Sequence, residues 1–284
     1  MSTKKMRICI FSLFRDSEEV LPQCLSSLEL IEKNTDAEFE YYFYENDSKD
    51  NTVSILENWL KDRSGIFTSE TLNVPKFGST LDPQRMILMS KVRNKMLSLD
   101  IHKNSDYSII FDSDVIFHGG IVNEFLSYKH LNFSMLTPNI RQDVPCKMSL
   151  VTNDSYYDSS ILFDKQNINC MTWSDNPFYD KLDRENYANN KPIEVNRAFG
   201  SFAFLKTKYL KECNWNSQGE SEHWSFCDQL NKLAPIYFIP SIRPQVHIEQ
   251  KKWPHEQRVI DHQKILLKNK WNRFLWKNNV QPIQ

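Results

Sequence analysis

The first half of this chain alternates short apolar segments with amphipathic ones. Four runs have the length and apolar content of buried strands: residues 7–14, 39–44, 66–72 and 107–111. Three stretches between them place apolar residues at helical spacing: residues 20–31, 48–60 and 82–99. Parallel strands need long crossover connections, which are usually helices. The strand–helix order therefore predicts an α/β fold with a mostly parallel central sheet flanked by helices.

The second half has weaker periodicity. We predict strands at residues 133–137, 160–163, 198–205, 236–239 and 245–248, and helices at residues 222–233 and 257–267. The stretch 167–190 is polar, aromatic and acidic, and we predict a long loop there, of the kind that is usually functional or disordered. No internal repeat and no low-complexity linker divides the 284 residues, so we predict one domain.

Composition excludes several classes of protein. Hydrophobic residues make up 40% of the chain and charged residues 25%, which suffices for a large core and excludes an intrinsically disordered chain. Lys and Arg total 35 against 36 Asp and Glu, so no overall positive field attracts a nucleic-acid backbone. Only 6 residues are Gly, and no Gly-rich phosphate loop is visible.

The N-terminus and the cysteines bear on localisation. The basic segment Met1–Arg7 leads into an apolar run that stops at Arg15, which predicts a first strand rather than a signal peptide. No run approaches the ~18 uncharged apolar residues that a membrane helix needs. The six Cys residues form no CxxC pair, so we expect free thiols and a cytoplasmic location.

Two aspartates follow the fourth predicted strand, in the segment YSIIFDSDVIF at 107–117. Ligands of an open parallel sheet bind at the carboxyl edge of its strands. If the backbone stays extended, Asp112 and Asp114 project to the same side. A divalent cation such as Mg²⁺ or Mn²⁺ joins two such carboxylates and leaves positions open for substrate phosphates. The alternative is a polar strand end with two solvated aspartates.

Further polar residues belong to the same predicted edge. Glu45 and Asn46 end the second strand, where they suit a ribose hydroxyl or a base edge; the alternative is strand-end capping, with an N-cap at Asp47 or Ser48. Arg93 lies within the helix before the aspartate strand, and its planar fork suits a diphosphate. The alternative for Arg93 is a solvated basic helix face.

The order of four segments resembles that of GT-A-fold glycosyltransferases. The matching segments are the strand end at 12–15, YENDSKDNT at 44–52, SKVRNKML at 90–97, and FDSDV at 111–115. The resemblance is greatest to the capsule-associated mannosyltransferases of fungi and to similar enzymes of large algal and amoebal viruses, over residues 6–250. It implies a nucleotide-sugar-binding half at 6–130 and an acceptor and catalytic half at 131–255. We predict a helical tail at 256–284.

The resemblance also implies roles for particular residues on the donor side. The DxD motif of that family binds a divalent metal, Mn²⁺ or Mg²⁺, on the nucleotide diphosphate, which carries over to Asp112 and Asp114. A late histidine completes the metal shell, and the candidate is His247. Glu45 and Asn46 contact the nucleoside. Arg15 and Arg93 complete the donor-binding set.

The segment GESEHW at 219–224 precedes a predicted helix whose N-cap is Ser221. Acidic residues at a helix start are favoured by the helix dipole, which is the alternative to a catalytic role. Inverting GT-A enzymes place a carboxylate there, which takes the proton from the acceptor hydroxyl. We choose Glu222 over Glu220. His223 is either the base itself or a residue that positions the acceptor. A retaining enzyme needs no such base.

Aromatic residues in the predicted loop suit an acceptor sugar. Trp173 and Phe178 have faces on which a sugar stacks, and Asp175 suits its hydroxyls. A lid packed by its own aromatic side chains is the alternative.

Together these features predict an enzyme of glycan biosynthesis without a membrane span. We expect it to act in the cytoplasm, which is the host cytoplasm if the chain is viral. It moves a hexose from a nucleotide diphosphate sugar, with UDP as the first candidate nucleotide and GDP as the second, to a sugar or protein hydroxyl, with inversion. One alternative is a sugar nucleotidyltransferase, which normally carries a Gly-rich N-terminal loop that residues 11–15 lack. Another is an inactive carbohydrate- or nucleotide-binding protein.

Overall fold

A computed structural model describes residues 5–77, 82–98, 105–142, 155–157, 160–170 and 176–246. The strands are β1 (Met6–Phe14), β2 (Ala37–Asn46), β3 (Gly65–Glu70), β4 (Tyr107–Asp112), β5 (Val115–Ile116), β6 (Met135–Pro138), β7 (Arg141–Gln142), β8 (Ser155–Tyr156), β9 (Phe163–Asp164), β10 (Ile193–Arg197), β11 (Phe202–Lys206), β12 (Ile236–Ile239) and β13 (Gln245–Val246). The helices are α1 (Leu21–Asn34), α2 (Thr52–Leu60), α3 (Pro83–Leu97), α4 (Ile121–Ser127), α5 (Lys181–Ala188), α6 (Thr207–Leu210) and α7 (Glu222–Leu233).

A nine-stranded sheet forms the centre of the molecule, in the order β3-β2-β1-β4-β11-β6-β12-β10-β9. β1 pairs in parallel with both β2 and β4, and β2 pairs in parallel with β3. The carboxyl ends of these four strands therefore meet at one edge. β11 runs antiparallel to β4, so the start of β11 reaches the same edge.

A second, four-stranded sheet has the order β5-β13-β7-β8. Its strand β13 pairs antiparallel with β5, which places Val246 opposite Val115. Because Val115 directly follows Asp114, this small sheet adjoins the end of β4.

The central strands are long apolar runs because both of their faces are covered. Ile8, Ile10 and Phe11 of β1 are fully buried, as are Ile110 and Phe111 of β4. An aromatic cluster fills the core on the α4 side, where the ring of Phe125 stacks on Phe202 and Phe204 at centroid distances of 5.6 and 5.1 Å.

Local signals explain where the helices begin. α1 has a proline in its first turn, where no intrahelical N–H is needed. The Asp82 carboxylate caps α3 by accepting hydrogen bonds from the amides of Gln84 and Arg85. α3 packs against β1, β2 and α7, so its buried face reaches under the carboxyl edge of the sheet.

The sequence-based prediction of the first half is confirmed: a mostly parallel α/β sheet flanked by helices is present, with each predicted strand and helix in its place. In the second half, the predictions for β12 and α7 are also confirmed. The predicted tail and the predicted helix at 257–267 lie outside the described residues.

Three predictions for the second half were wrong, and one strand was missed. The strand predicted at 160–163 begins only at Phe163. A helix, α5, occupies part of the predicted loop 167–190, because the Asp180 carboxylate caps its first turn through the amides of Leu182 and Asp183. The strand predicted at 198–205 begins only at Phe202, because Gly200 and Ser201 both have a φ of +57° and turn the chain. β10, an interior strand of the sheet, was not predicted.

Two further findings concern the helices and the cysteines. Within the described ranges, every helix is too short or too polar to cross a bilayer. Five cysteines are described, and all five are free and buried: Cys9, Cys24, Cys170, Cys213 and Cys227. Cys146 lies outside the described residues.

Candidate active site

Asp112 ends β4 at the carboxyl edge of the sheet, in register with Leu13 of β1. Its amide donates a hydrogen bond to the carbonyl of Ser201, which fastens the edge to the turn before β11. The chain then turns at Ser113 and Asp114. The extended backbone, on which the expectation of two aspartates on one side depended, is therefore absent at Asp114.

Both aspartates remain at the same edge. The Asp112 side chain is 29% exposed, and Asp114 is half-buried. Ser113, between them, places its hydroxyl oxygen 3.2 Å from that of Ser17, in the segment after β1. The aspartate turn thus closes against the end of the neighbouring strand.

A buried arginine joins Asp112 to the start of α7. Arg93 of α3 is only 2% exposed, so the alternative of a solvated basic face is wrong. Its Nη2 donates to Oδ1 of Asp112 at 3.1 Å, and its Nε donates to Oε1 of Glu222 at 3.4 Å. Burial lowers the pKa of Arg93, but the two carboxylates outweigh that effect and raise it.

Glu222 and His223 open α7, and both are buried. The His223 ring stacks on Phe199 with a centroid distance of 3.9 Å, and its Nε2 lies 3.4 Å from Oε1 of Glu222. The indole N–H of Trp215 donates to its Nδ1 at 3.3 Å. This hydrogen bond assigns the ring proton to Nε2, on the side of Glu222.

His223 is neutral in this environment. Burial, followed by the positive charge of Arg93, holds the pKa of His223 well below its ordinary value. With Nδ1 accepting from the indole and Nε2 carrying the proton, neither ring nitrogen has a lone pair left for an acceptor hydroxyl.

Helix α3 also holds Trp215 in place. The side-chain amide of Asn94 donates to the carbonyl of Trp215 at 2.7 Å, and its oxygen accepts from the Trp215 amide at 2.8 Å. The Trp215 ring stacks on Phe226 at 4.0 Å, in the core. Adjacent residues of α3, Arg93 and Asn94, therefore fix both Glu222 and the indole behind His223.

Glu45 is buried at the end of β2, and both of its carboxylate oxygens are engaged within the chain. One accepts from the amide of Ser48 at 2.6 Å and the other from the hydroxyl of Ser69 at 2.7 Å. The Asn46 amide donates to Asp47 at 3.1 Å. The two residues expected to contact a nucleoside thus brace the loop that follows β2, which agrees with strand-end capping. The N-cap expected at Asp47 or Ser48 is wrong, because the N-cap of α2 is Asn51.

Asp47 and Asp16 organise this edge, and neither was predicted to belong to the site. Both have positive φ, 58° and 46°, a conformation that aspartate tolerates better than most residues. The Asp47 carboxylate accepts hydrogen bonds from three consecutive amides, at residues 72–74. Burial raises the pKa of Asp47, but these amide bonds prevail and lower it.

The segment at 72–76 is held from a second side. Nη2 of Arg15 donates to the carbonyl of Val74 at 2.7 Å, and Lys76 forms an ion pair with Asp16. Arg15 therefore supports a wall beside the strand ends. In the sequence, the only feature that pointed to Asp16 and Asp47 was their position just after the ends of two strands.

The predicted acceptor loop is described only in part. Trp173 and Asp175 lie outside the described residues, as does His247. Phe178 is 1% exposed and packs edge-on against Phe238 at a centroid distance of 5.3 Å, so it presents no face to a sugar. Phe178 therefore packs against β12 of the central sheet, so the alternative of a lid packed by its own aromatic side chains does not describe it either.

A divalent metal suits the donor set at the strand end. Among the described residues, no group of three or more His, Cys, Asp or Glu side chains could hold an ion. Asp112 and Asp114 supply two carboxylates, and Mg²⁺-like ions commonly bind through one or two carboxylates together with water and substrate phosphates. The two aspartates therefore fit such an ion when a diphosphate is present.

Comparison with solved structures identifies the fold. The structure of S. aureus TarS residues 1–349 has a TM-score of 0.53 and 15% identity, covering 85% of this chain and 60% of that one. The same protein in complex with UDP-GlcNAc gives a TM-score of 0.52 at 14% identity, covering 87% of this chain and 60% of that one. Mannosyltransferase PcManGT from Pyrobaculum calidifontis, in complex with GDP-Man and Mn²⁺, gives 0.53 at 11% identity, covering 88% and 59%. The chain has the GT-A glycosyltransferase fold, and it spans about 60% of the length of these structures.

Comparison with protein families identifies the family of this chain. The profile of the family described as Cryptococcal mannosyltransferase 1 matches residues 7–234. The chain belongs to this family, which confirms the resemblance inferred from the order of its motifs. A comparison with curated protein sequences finds no significant match. Family and fold agree: the chain belongs to a family described as a mannosyltransferase and has the GT-A fold.

Proposed function

We propose that this protein transfers a hexose from a nucleotide diphosphate sugar to a hydroxyl of a sugar or protein, with a divalent metal and with inversion at the anomeric carbon. One observation carries the proposal: the Arg93 guanidinium joins Asp112, at the strand edge where a donor binds, to Glu222, at the start of α7. Two carboxylates with separate tasks are thereby held at one site. Membership of a mannosyltransferase family supports the reaction class.

On the donor side, Asp112 and Asp114 would hold Mn²⁺ or Mg²⁺. His247, which the resemblance implies, is the third candidate ligand. When bound, such an ion neutralises negative charge on a diphosphate leaving group. Asn46 and Arg15 belong to the wall beside the nucleotide, and Glu45 braces it.

The donor nucleotide is either UDP or GDP. We retain UDP as the first candidate, which the complex of TarS with UDP-GlcNAc supports. GDP-mannose is the second, supported by the family description and by the complex of PcManGT with GDP-Man. These ligands belong to the neighbours, so donor choice here needs a direct test.

On the acceptor side, Glu222 is the proposed base. As the acceptor oxygen attacks the anomeric carbon, its proton passes to the Glu222 carboxylate. The bond from the anomeric carbon to the diphosphate oxygen breaks, and its electron pair leaves with the diphosphate. His223 does not take the proton, since its Nδ1 accepts from Trp215. We assign it the task of holding Glu222.

Thermal denaturation with a panel of nucleotide sugars tests the proposal. A ligand that binds only the folded state stabilises it by about 2.7 kcal/mol at one hundred times its Kd. We expect one nucleotide class, UDP or GDP, to raise the Tm with Mn²⁺ and to lose most of that effect with EDTA. The matched control is the nucleoside monophosphate with Mn²⁺, which lacks the second phosphate. A panel in which no nucleotide sugar raises the Tm contradicts the proposal.

A further inference from the structure

The buried guanidinium of Arg93 is the unusual feature of this site. Nη2 donates to Asp112 of β4 and Nε to Glu222 of α7, while Nη1 is buried without a hydrogen-bond partner in the described part of the chain. The two carboxylates are far apart in sequence, and Arg93 comes from a third element, α3. One side chain thus sets the spacing between the donor and acceptor sides of the proposed site.

Access to Arg93 is closed by aromatic rings. The guanidinium carbon lies 5.4 Å from the ring centre of Phe199 and 5.9 Å from that of Trp215. With 2% of the residue exposed, a donor diphosphate reaches the guanidinium only by displacing Asp112 or the rings. Two of the three guanidinium nitrogens, Nε and Nη2, are already bound to carboxylates of the chain, and Nη1 is buried with them.

Glu222 is held through one oxygen. Oε1 accepts from Nε of Arg93, and the protonated Nε2 of His223 lies 3.4 Å from the same atom. In the described ranges, no hydrogen bond involves Oε2. The carboxylate, 3% exposed, is therefore fixed in orientation through Oε1, and Oε2 is the oxygen that we assign to the acceptor proton.

We infer that Arg93 is a positioning residue that acts through Asp112 and Glu222 and does not bind the donor diphosphate itself. This inference rests on the proposed function and replaces the expected contact of Arg93 with the diphosphate. A planar fork spans two carboxylates, whereas a lysine ammonium is a point charge and does not hold both in the same geometry. Arg93→Lys therefore keeps the charge and loses the spacing.

The test compares Arg93→Lys with Arg197→Lys. Arg197 is a matched control, since it pairs with Asp228 of α7 at 2.7 and 2.8 Å and faces the rings of Phe163 and Trp224 at 5.0 and 5.2 Å. The readouts are Tm, donor Kd and the rate of hydrolysis of UDP-glucose, UDP-GlcNAc and GDP-mannose with Mn²⁺. For Arg93→Lys we expect a donor Kd within about 3-fold of wild type and hydrolysis slower by about 10²-fold, the cost of a misplacement near 1 Å. Arg197→Lys keeps the wild-type rate.

A second measurement uses Glu222→Gln as background. If Arg93 acts partly through Glu222, adding Arg93→Lys to Glu222→Gln slows the residual hydrolysis by clearly less than it slows the wild type, because coupled residues are not additive; the loss that remains is the part that acts through Asp112.

Three results are decisive against the inference. A rise of 10-fold or more in donor Kd for Arg93→Lys makes Arg93 a donor ligand. If Arg93→Lys lowers the Tm but leaves the hydrolysis rate unchanged, as we expect of the rate in Arg197→Lys, then Arg93 has only a structural role. If Arg93→Lys slows hydrolysis equally in the wild-type and Glu222→Gln backgrounds, then Arg93 does not act through Glu222. A wild-type protein that hydrolyses none of the three donors contradicts the proposed function, and the inference with it.

Discussion

Replacing Glu222 with glutamine separates acceptor activation from donor binding. The glutamine keeps the shape of the side chain and an oxygen for Arg93, but it accepts no proton at neutral pH. We expect transfer to fall by about 10²–10⁴-fold, the usual contribution of a positioned general base. Hydrolysis of the donor by water falls as well, because water also needs deprotonation.

The structure bounds the cost in stability. A hydrogen bond to a charged group contributes about 1.5–3 kcal/mol, and a neutral one contributes about 0.5–1.5 kcal/mol. The substitution converts the Arg93–Glu222 bond from the first kind to one nearer the second, while Arg93 retains Asp112. The free energy of unfolding therefore falls by about 1 kcal/mol, or about 2 °C in Tm. A decrease in stability of this size does not unfold the protein at the assay temperature, so it does not explain a 10²-fold loss of activity.

The assay measures nucleoside diphosphate release with the donor and Mn²⁺, alongside donor Kd by calorimetry. Glu220→Gln is the matched control, since Glu220 is an exposed carboxylate two residues away. We expect it to retain the wild-type rate. Near-normal turnover in Glu222→Gln would refute the reasoning and favour a retaining mechanism or a base at 167–190.

Three other predictions concern the metal, pH and thiols. Asp114→Asn should abolish Mn²⁺-dependent donor binding in calorimetry while the circular dichroism spectrum is unchanged; binding like wild type would exclude Asp114 as a ligand. Asp112→Asn should impair turnover as well. Burial raises the pKa of Asp164 from 3.8 to about 6, so folding favours its protonated form; this stabilisation is present below pH 3.8 and is lost as pH rises through about 6. Asp164→Asn should therefore flatten the dependence of the urea midpoint on pH across that window, and an unchanged slope would contradict this. For a cytoplasmic protein, thiol titration of the denatured, unreduced chain should find all six cysteines; fewer would indicate another compartment.

The first half of the fold was predictable because each element carries its own signal. The apolar runs of β1 and β4 are buried on both faces, and the Asp82-Pro83 pair marks the start of α3. α5 was not predicted, because a helix of 8 mostly polar residues stabilised by one cap at Asp180 differs little from a loop in its sequence.

The residue types of the site were predictable, but their contacts were not. Arg93 looks exposed in a polar helical stretch, and its burial follows from partners 19 and 129 residues away. Glu45 looks free at a strand end until the fold brings Ser69 to it. Pairings at this separation depend on how the elements pack, which no local pattern contains.

The configuration of the released sugar tests the central claim most directly. Wild-type protein is incubated with Mn²⁺ and an α-linked donor, UDP-glucose or GDP-mannose, and proton NMR records the anomeric signals before mutarotation. The account predicts that the β-anomer appears first, and that its release slows in Glu222→Gln. Release of the α-anomer would contradict the role of Glu222, and release of no sugar from any donor would contradict the assignment as a glycosyltransferase.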